Sequence, residues 1–243
     1  MDFFSRVGMW FADMGATLKA KFILNFIDGD RWRFLANGFL VTLEVTILAV
    51  SIGIVLGFLV AIIRSAHDTT GRFRVLDWIC RVYLTVIRGT PVVVQLMIIY
   101  FVVFASVNID KVFVAVIAFG FNSGAYVAEI VRGGIMSVDR GQMEAGRSLG
   151  FSYAGTMLYI IVPQAFKNVL PSLANELIVL LKETSVAGYI ALIDLTKAGD
   201  IIRGRTYDAF MPLIAVALIY LGTVMLMSKG VRVLERRLRN SDH

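Results

Sequence analysis

The stretch NGFLVTLEVTILAVSIGIVLGFLVAII, residues 37–63, decides the fold class of this chain. It is a long apolar run with a single charged residue, Glu44, and about twenty apolar residues are enough for a helix to cross a bilayer. Gly53 and Gly57 are four residues apart, so a second helix can approach this one closely there. The stretch therefore predicts a transmembrane helix with a tightly packed partner.

The composition extends this prediction to the whole chain. Hydrophobic residues make up 58% of the 243 positions and charged residues 17%, whereas soluble domains carry about 25% charge. Further apolar runs occupy residues 92–107, 112–131, 168–181 and 210–227. We therefore expect an all-α, polytopic membrane protein with about five transmembrane helices, preceded by a lead-in segment over residues 1–36 and forming one transmembrane domain over residues 37–243.

The composition excludes nucleic-acid binding and a site built on cysteines. The net charge of +6 does not indicate nucleic-acid binding, because the Lys and Arg residues lie between the apolar runs, where cytoplasmic loops accumulate them. A single cysteine, Cys80, provides neither a disulfide nor a cysteine metal cluster. We expect His67 and the terminal His243 to be solvated and without a ligand.

The second span is predicted to be broken. Residues 72–87 have the pattern of an amphipathic helix, and the sequence RGTP follows at residues 88–91. Because proline cannot continue the interior of a hydrogen-bonded helix, Pro91 is expected to start a new segment. Residues 1–36 mix aromatic and charged residues, so they suit either an amphipathic segment at the membrane surface or an ordinary soluble lead-in.

A polar segment, RGQMEAGRSLG at residues 140–150, interrupts the apolar sequence. Its spacing predicts a short helix in which Glu144 can pair with Arg140 and Arg147 along one face. Gly150 suits the left-handed residue that ends a helix, and Ser152 can cap the next one. Such a helix can transmit force between a soluble partner and the spans, or it is simply a solvated helix between two spans.

The distribution of positive charge predicts the orientation. Five spans place the two termini on opposite sides of the membrane. The loops over residues 64–88 and 132–167 and the basic tail hold most of the 24 Lys and Arg residues, so we expect them in the cytoplasm and the N-terminus outside.

The polar segment and the residues after it resemble the cytoplasmic signature of the permease subunits of bacterial ABC importers. That signature is Glu-Ala-Ala, three residues, Gly, nine residues, Ile, one residue and Leu-Pro. The matching positions are Glu144, Ala145, Gly146, Gly150, Ile160, Val162 and Pro163. Gly146 replaces the second alanine and Val162 the leucine, and Gly146 is expected to weaken its helical turn by up to about 1 kcal/mol. The sequences RGTP and KETS, residues 88–91 and 182–185, resemble the branch that takes up polar amino acids, such as histidine, glutamine and arginine.

The resemblance implies an all-α permease fold of the type I importer class in a bacterial cytoplasmic (inner) membrane. It implies a second permease subunit, identical or similar, two cytoplasmic ATPase subunits and an extracytoplasmic solute-binding protein, with lipid around the spans. The chain lacks a GxxxxGK[ST] phosphate loop, so it is expected to be non-catalytic and to bind no cofactor, with ATP and Mg²⁺ held by the ATPase. The residues expected to couple to that ATPase are Arg140, Met143, Glu144, Ala145, Gly146, Arg147, Leu149 and Gly150.

Polar residues inside the spans are candidates for the solute path, because they are costly in a bilayer unless they face a cavity or one another. The predicted path residues are Gln95, Asn122, Ser123, Tyr126, Glu176, Lys182 and Glu183, with Glu44, Glu129 and Asn175 as further polar positions. The spacing of seven places Asn175 with Lys182 on one face and Glu176 with Glu183 on another. Helices broken at Pro91 and Pro171 could direct N–H groups at a carboxylate. Alternatively, these side chains hold the spans together, and Glu129 pairs with Arg132.

Other functions remain open on sequence alone. An ABC permease for an opine, an anion or a peptide would share the polar segment at residues 140–150. A self-contained channel or secondary transporter would need no such segment. A membrane-embedded enzyme is disfavoured because the spans contain no HExxH motif, no pair of aspartates and no histidine.

Overall fold

The computed structural model describes residues 3–240, and for residues 3–12, 69–70 and 239–240 it describes the backbone alone. Every regular element in this part is helical, which confirms the predicted all-α fold. The helices are α1 (Phe3–Phe22), α2 (Trp32–Thr70), α3 (Arg74–Gly89), α4 (Val92–Ile98), α5 (Lys111–Met136), α6 (Arg140–Ser148), α7 (Tyr153–Thr156), α8 (Val162–Glu183), α9 (Leu195–Thr206) and α10 (Phe210–Asn240).

The five predicted spans correspond to α2, α4, α5, α8 and α10. Of the described helices, α2, α5 and α10 are long and apolar enough to cross a membrane. A π-helical turn at Ile99–Val103 lengthens α4, and α3 with α4 would form a fourth span if the bent pair is counted as one. The helix α8 is long enough to cross a membrane at 22 residues, but its polar residues make it less apolar than α2, α5 and α10.

The centre of the bundle is α5. Of the most apolar 18-residue stretch of each helix, a share of 72% is buried in α5, compared with 39% in α2 and 11% in α10. It packs along α2 and against α8, while α10 contacts α8 and α9 at the periphery. Asp110 begins α5 by accepting hydrogen bonds from the N–H groups of Val112 and Phe113. Side chains on α5 therefore have more protein neighbours than those on any other span-length helix here.

The contact between α2 and α5 depends on glycine. A Cβ atom on Gly57 would lie 2.5 Å from Cγ1 of Val127, and one on Gly53 would lie 2.8 Å from Cβ of Ser123. Real Cβ atoms do not approach other atoms so closely, so larger residues at these positions would force the helices apart. The predicted close approach of a partner helix at Gly53 and Gly57 is confirmed, and the partner is α5.

The predicted break at Pro91 is confirmed, whereas the one at Pro171 is wrong. The axes of α3 and α4 are bent by 111° across the break. Pro171 instead lies inside the uninterrupted helix α8. A proline has a fixed φ compatible with a helix, and the cost of its missing N–H is tolerated in membrane helices when neighbouring groups satisfy the backbone.

The lead-in segment is helical and connected to the rest of the bundle. After α1 comes a π-helical turn, Ile23–Ile27, and α2 already begins at Trp32. The buried Asn25 donates to Oδ2 of Asp208 at 3.1 Å and accepts from Thr206 at 2.8 Å, which ties the segment to the connection between α9 and α10. An interfacial role for residues 1–36 stays a prediction; residues 1–2, like 241–243 at the other end, lie outside the described part.

Replacing Gly57 by alanine is expected to lower stability. The added methyl group would collide with Val127, and overpacking of this kind typically costs about 1–3 kcal/mol. A Cβ atom on Gly222 of α10 would have no neighbouring atom within 4 Å, so Gly222→Ala should be neutral or stabilising because alanine favours helix. The fraction of protein that stays monodisperse on size-exclusion chromatography after heating measures both. Equal effects of the two substitutions would contradict the glycine contact.

Candidate functional site

The polar segment folds as the helix α6 and stands on the outside of the bundle. Only Gly146 on it is buried, Met143 is half-buried, and Leu149 is 78% exposed. A Cβ atom on Gly146 would lie 2.5 Å from Cγ2 of Thr156 and 2.8 Å from Cδ1 of Ile160. Glycine at this signature position therefore seats α6 closely on the next helix, and the remaining residues of α6 stay accessible to a partner.

The predicted ends of this helix are confirmed. Asp139 caps α6 by accepting from the N–H of Gly141 at 2.6 Å. Gly150 has a φ of +88°, in the left-handed region that favours glycine, and so turns the chain out of α6. Ser152 then begins α7 by accepting from the N–H of Gly155 at 3.0 Å. The segment thus forms a helix-turn-helix with both helix starts capped.

The ion pairs predicted along α6 are not formed. In the described part of the chain, Glu144 makes no ion pair with Arg140 or Arg147, and all three are exposed. Arg147 instead donates to the backbone oxygen of Phe151 at 3.3 Å. The reason is that an exposed pair gains little in water, while a carbonyl in the tight turn after α6 is close at hand. These charges are therefore free to meet a partner.

After the turn at Gly150, the chain continues into a long helix. From Tyr153 the chain runs through α7, a π-helical turn at Met157–Ile161 and α8 to Glu183 without leaving helical geometry. At 1.5 Å per residue this rod is roughly 45 Å long. Gln164 donates to Oε1 of Gln142 at 3.4 Å, which connects the rod back to α6. A displacement of α6 would thus act on one end of a continuous rod.

A buried polar cluster lies where α4 packs on α5. Gln95 donates through Nε2 to the carbonyl oxygens of Ile87 and Thr90, at 2.7 and 3.0 Å, and accepts from Asn122 at 3.0 Å. Its side chain thereby satisfies carbonyls freed at the break before Pro91. Asn122 Oδ1 is buried without a hydrogen-bond partner among the described residues. For Gln95, the arrangement matches the alternative that polar residues hold the spans together.

The other predicted path residues divide into buried and open groups. Ser123 donates to Oε1 of Glu176 at 2.9 Å, and both are buried. Tyr126 is 37% exposed, with the guanidinium carbon of Arg88 5.9 Å from its ring centroid. Further along α8, Lys182 is exposed and Glu183 half-buried. The path role of these side chains stays a prediction.

The faces predicted on α8 agree with the burial of its side chains. Asn175 and Lys182 are both exposed, whereas Glu176 is buried and Glu183 is partly buried. In the single chain, the first pair is therefore open to a second subunit, to a passage or to lipid. Glu44 of α2 is exposed as well.

An ion-pair network joins α2, α3 and α5, and sequence reasoning missed it. Asp77, 4% exposed, accepts from Nε of Arg81 at 2.7 Å and lies 3.7 Å from Nε of Arg64. His67 is not simply solvated as predicted: its Nε2 is 3.7 Å from Asp77 and its Nδ1 is 2.6 Å from the oxygen of Arg72. The i,i+4 spacing of Asp77 and Arg81 was the one available signal, because the other contacts join distant parts of the chain.

The predicted partner of Glu129 is also wrong. Its carboxylate lies 3.4 Å from Nη1 of Arg64 and 3.6 Å from Nη1 of Arg88. Arg132, the nearby arginine on the same helix, makes no ion pair in the described part of the chain. The packing of α2 and α3 on α5 brings two other arginines closer.

Replacing Gly146 by alanine is expected to weaken the packing of α6 against α7 by about 1–3 kcal/mol, because the new methyl group would overlap Thr156. Thr156→Ser removes the γ-methyl group and keeps the hydroxyl that donates to the oxygen of Ser152. The double variant should therefore regain most of the loss. A double-mutant cycle on the melting temperature of the purified protein measures the coupling, and strictly additive effects would contradict this packing.

Comparisons with known proteins agree with this architecture. Residues 53–240 match the family described as "Binding-protein-dependent transport system inner membrane component". The chain is 37% identical over 211 residues to the arginine transport system permease protein ArtQ of Bacillus subtilis, covering 86% of this chain and 94% of that protein. It is 39% identical over 224 residues to the L-cystine transport system permease protein TcyB of the same organism, covering 91% and 94%.

A solved structure gives the same result. A chain from the crystal structure of an amino acid ABC transporter with histidines is 42% identical and superposes with a TM-score of 0.78, covering 84% of this chain and 94% of that one. A chain of the methionine transporter MetNI, at 18% identity and a TM-score of 0.73, covering 86% and 98%, shows the same fold. This protein therefore belongs to the family of inner-membrane permease components of binding-protein-dependent ABC transport systems.

Proposed function

We propose that this chain forms half of the translocation path of an ATP-driven importer and that α6 docks on a separate ATPase subunit. The geometry of α6 carries the proposal. Gly146 seats the helix on the bundle, its charged residues and Leu149 remain exposed, and a continuous rod leads from it to Glu183. A docked protein that moves α6 would also move this helical rod. The arrangement therefore suits a helix through which a separate ATPase acts on the transmembrane bundle.

The proposed complex contains two permease subunits, two ATPases and an extracytoplasmic solute-binding protein. This chain is its non-catalytic part, and ATP and Mg²⁺ belong to the ATPase. We place α6 and the C-terminal tail in the cytoplasm and the N-terminus outside. Only 11% of the most apolar 18-residue stretch of α10 is buried. Its exposed surface is therefore available to lipid and to the second permease subunit, whether identical or similar.

We further propose that the solute is a polar amino acid. The similar proteins are named for the transport of arginine and L-cystine, and the related solved structure is of an amino acid transporter. A zwitterion needs partners of both charges, and the end of α8 carries one of each, Lys182 on its exposed face and Glu183 on its partly buried face. The family membership favours an importer subunit over a self-contained channel or secondary transporter. An opine, anion or peptide permease is the alternative within the family.

Glu144→Lys is expected to abolish uptake while leaving the chain inserted in the membrane, because it reverses the charge at the centre of α6. Glu235→Lys, at an exposed carboxylate on the tail, is the matched control and should transport normally. Uptake of radiolabelled amino acids into cells, with immunoblots of the permease and ATPase in membranes, measures both. Normal uptake by Glu144→Lys with an assembled complex would contradict the coupling role.

Glu183→Gln is expected to raise the substrate concentration that half-maximally stimulates ATPase activity at least about tenfold. The reason is that a lost charge-assisted hydrogen bond typically contributes about 1.5–3 kcal/mol. Asn122→Ala is expected to raise this concentration too, but through the packing of α4 on α5. Basal ATPase activity of the reconstituted complex is the internal control. An unchanged substrate dependence in Glu183→Gln would remove Glu183 from the path, and one in Asn122→Ala would contradict the packing role of Asn122.

A further inference from the structure

A cavity of about 510 Å³ lies between α3 and the ends of α2 and α5 and is unused by the proposed transport cycle. Four arginines line it, Arg64, Arg81, Arg88 and Arg132, together with Glu129. Glu129 and Arg132 belong to the last part of α5, which leads within a few residues to α6. The cavity is therefore at the same end of the bundle as the docking helix.

The charges around this cavity do not balance. Asp77 and Glu129 are the carboxylates that pair with its arginines, so four guanidinium groups face two carboxylates. Arg132 makes no ion pair among the described residues, whereas Nε of the largely buried Arg64 faces Oδ1 of Asp77 at 3.7 Å, so the uncompensated charge lies chiefly on the side of Arg132. The pocket is open on one side, since the side chains of Arg81 and Arg88 are 55% and 44% exposed, so an anion can reach the surplus positive charge from the surface and is attracted to it.

The helix α3 places an apolar surface beside these arginines. Arg74, Arg81 and Arg88 are spaced by seven residues and share one face of α3. The next face around the helix carries Trp78 and Val82, which are 64% and 41% exposed. Because α3 is bent by 111° from α4, it cannot run parallel to that spanning segment, and this apolar face suits the surface of a bilayer.

We propose that the arginine-lined cavity binds the phosphate headgroup of an anionic phospholipid, with the acyl chains lying along the apolar face of α3. Guanidinium groups recognise phosphate oxygens in a bidentate manner, and basic pockets at the cytoplasmic side of membrane helices suit anionic lipid headgroups. A free phosphate ion would use the arginines and leave Trp78 and Val82 uncovered. A lipid uses both surfaces, so the geometry favours it.

A bound phosphate would also act on the ion-pair network of α2, α3 and α5. Arg64 and Arg88 hold Glu129 on α5, and Arg64 also holds Asp77 on α3. A phosphate seated among these side chains would join α2, α3 and α5 at the end nearest α6. Lipid binding should therefore stabilise the packing of the three helices.

Trp78 itself can report the site. The sequence contains three tryptophans, so Trp10→Phe with Trp32→Phe leaves Trp78, on the exposed face of α3, as the sole tryptophan of this chain, and the same preparation with Trp78→Phe gives the background to subtract. The purified full chain, with any subunits that accompany it, is placed in phosphatidylcholine nanodiscs containing equal fractions of brominated phosphatidylglycerol or brominated phosphatidylcholine. We expect quenching to show about a fivefold preference for phosphatidylglycerol. Arg132→Gln should bring the preference towards unity, and Arg132→Lys, which keeps the charge but loses the bidentate geometry, should retain part of it.

Controls make the result specific. Arg236→Gln removes a charge from the exposed tail and should leave the preference at Trp78 intact. Millimolar inorganic phosphate should not displace the lipid; displacement would show a free-anion site and overturn the proposal. Equal quenching by both lipids, an unchanged preference in Arg132→Gln, or no quenching by either lipid because another subunit covers α3 would overturn it as well. Transport is not measured, so failure here leaves the proposed function standing.

Discussion

The close contact between α2 and α5 supports the rest of the structure. Inside a bilayer, lipid tails are as apolar as leucine, so helices are held together by packing and polar contacts rather than by expulsion of water. Gly53 and Gly57 have no Cβ atom, and this lets α5 lie directly against α2. With α5 fixed in the centre, its polar residues meet partners on α4 and α8, and Glu129 at its end meets arginines from α2 and α3.

Two glycines with similar packing roles serve different parts of the molecule. Gly57 brings two spans together, whereas Gly146 seats α6 against Thr156 on the helix that leads into the bundle. At Gly146, helix propensity alone predicts a weakened turn. The tertiary contact shows that glycine is favourable there, because a side chain at that position would push α6 away from Thr156. The residue that departs from the family signature therefore fits its neighbours in this chain.

Local features of the fold were predictable from the sequence. Apolar runs identified the spans, Pro91 the break, Gly150 the end of α6 and Ser152 the start of α7, because each depends on backbone chemistry within a few residues. Pro171 was misjudged because the same residue is tolerated inside a helix when the surrounding protein satisfies the backbone. The partners of Glu129 and His67 were also misjudged, since they come from α2 and α3.

By itself, the sequence determined the class of the protein, the position of the polar helix α6 and which side chains are polar within the spans. These follow from hydrophobicity, backbone preference and spacing, which are properties of neighbouring residues. Only the tertiary structure decided which polar groups pair, that Gln95 satisfies carbonyls at the α3–α4 break, and that four arginines surround one cavity. Those outcomes depend on how helices distant in the chain pack together, and a buried charge pairs with whichever opposite charge that packing brings within reach.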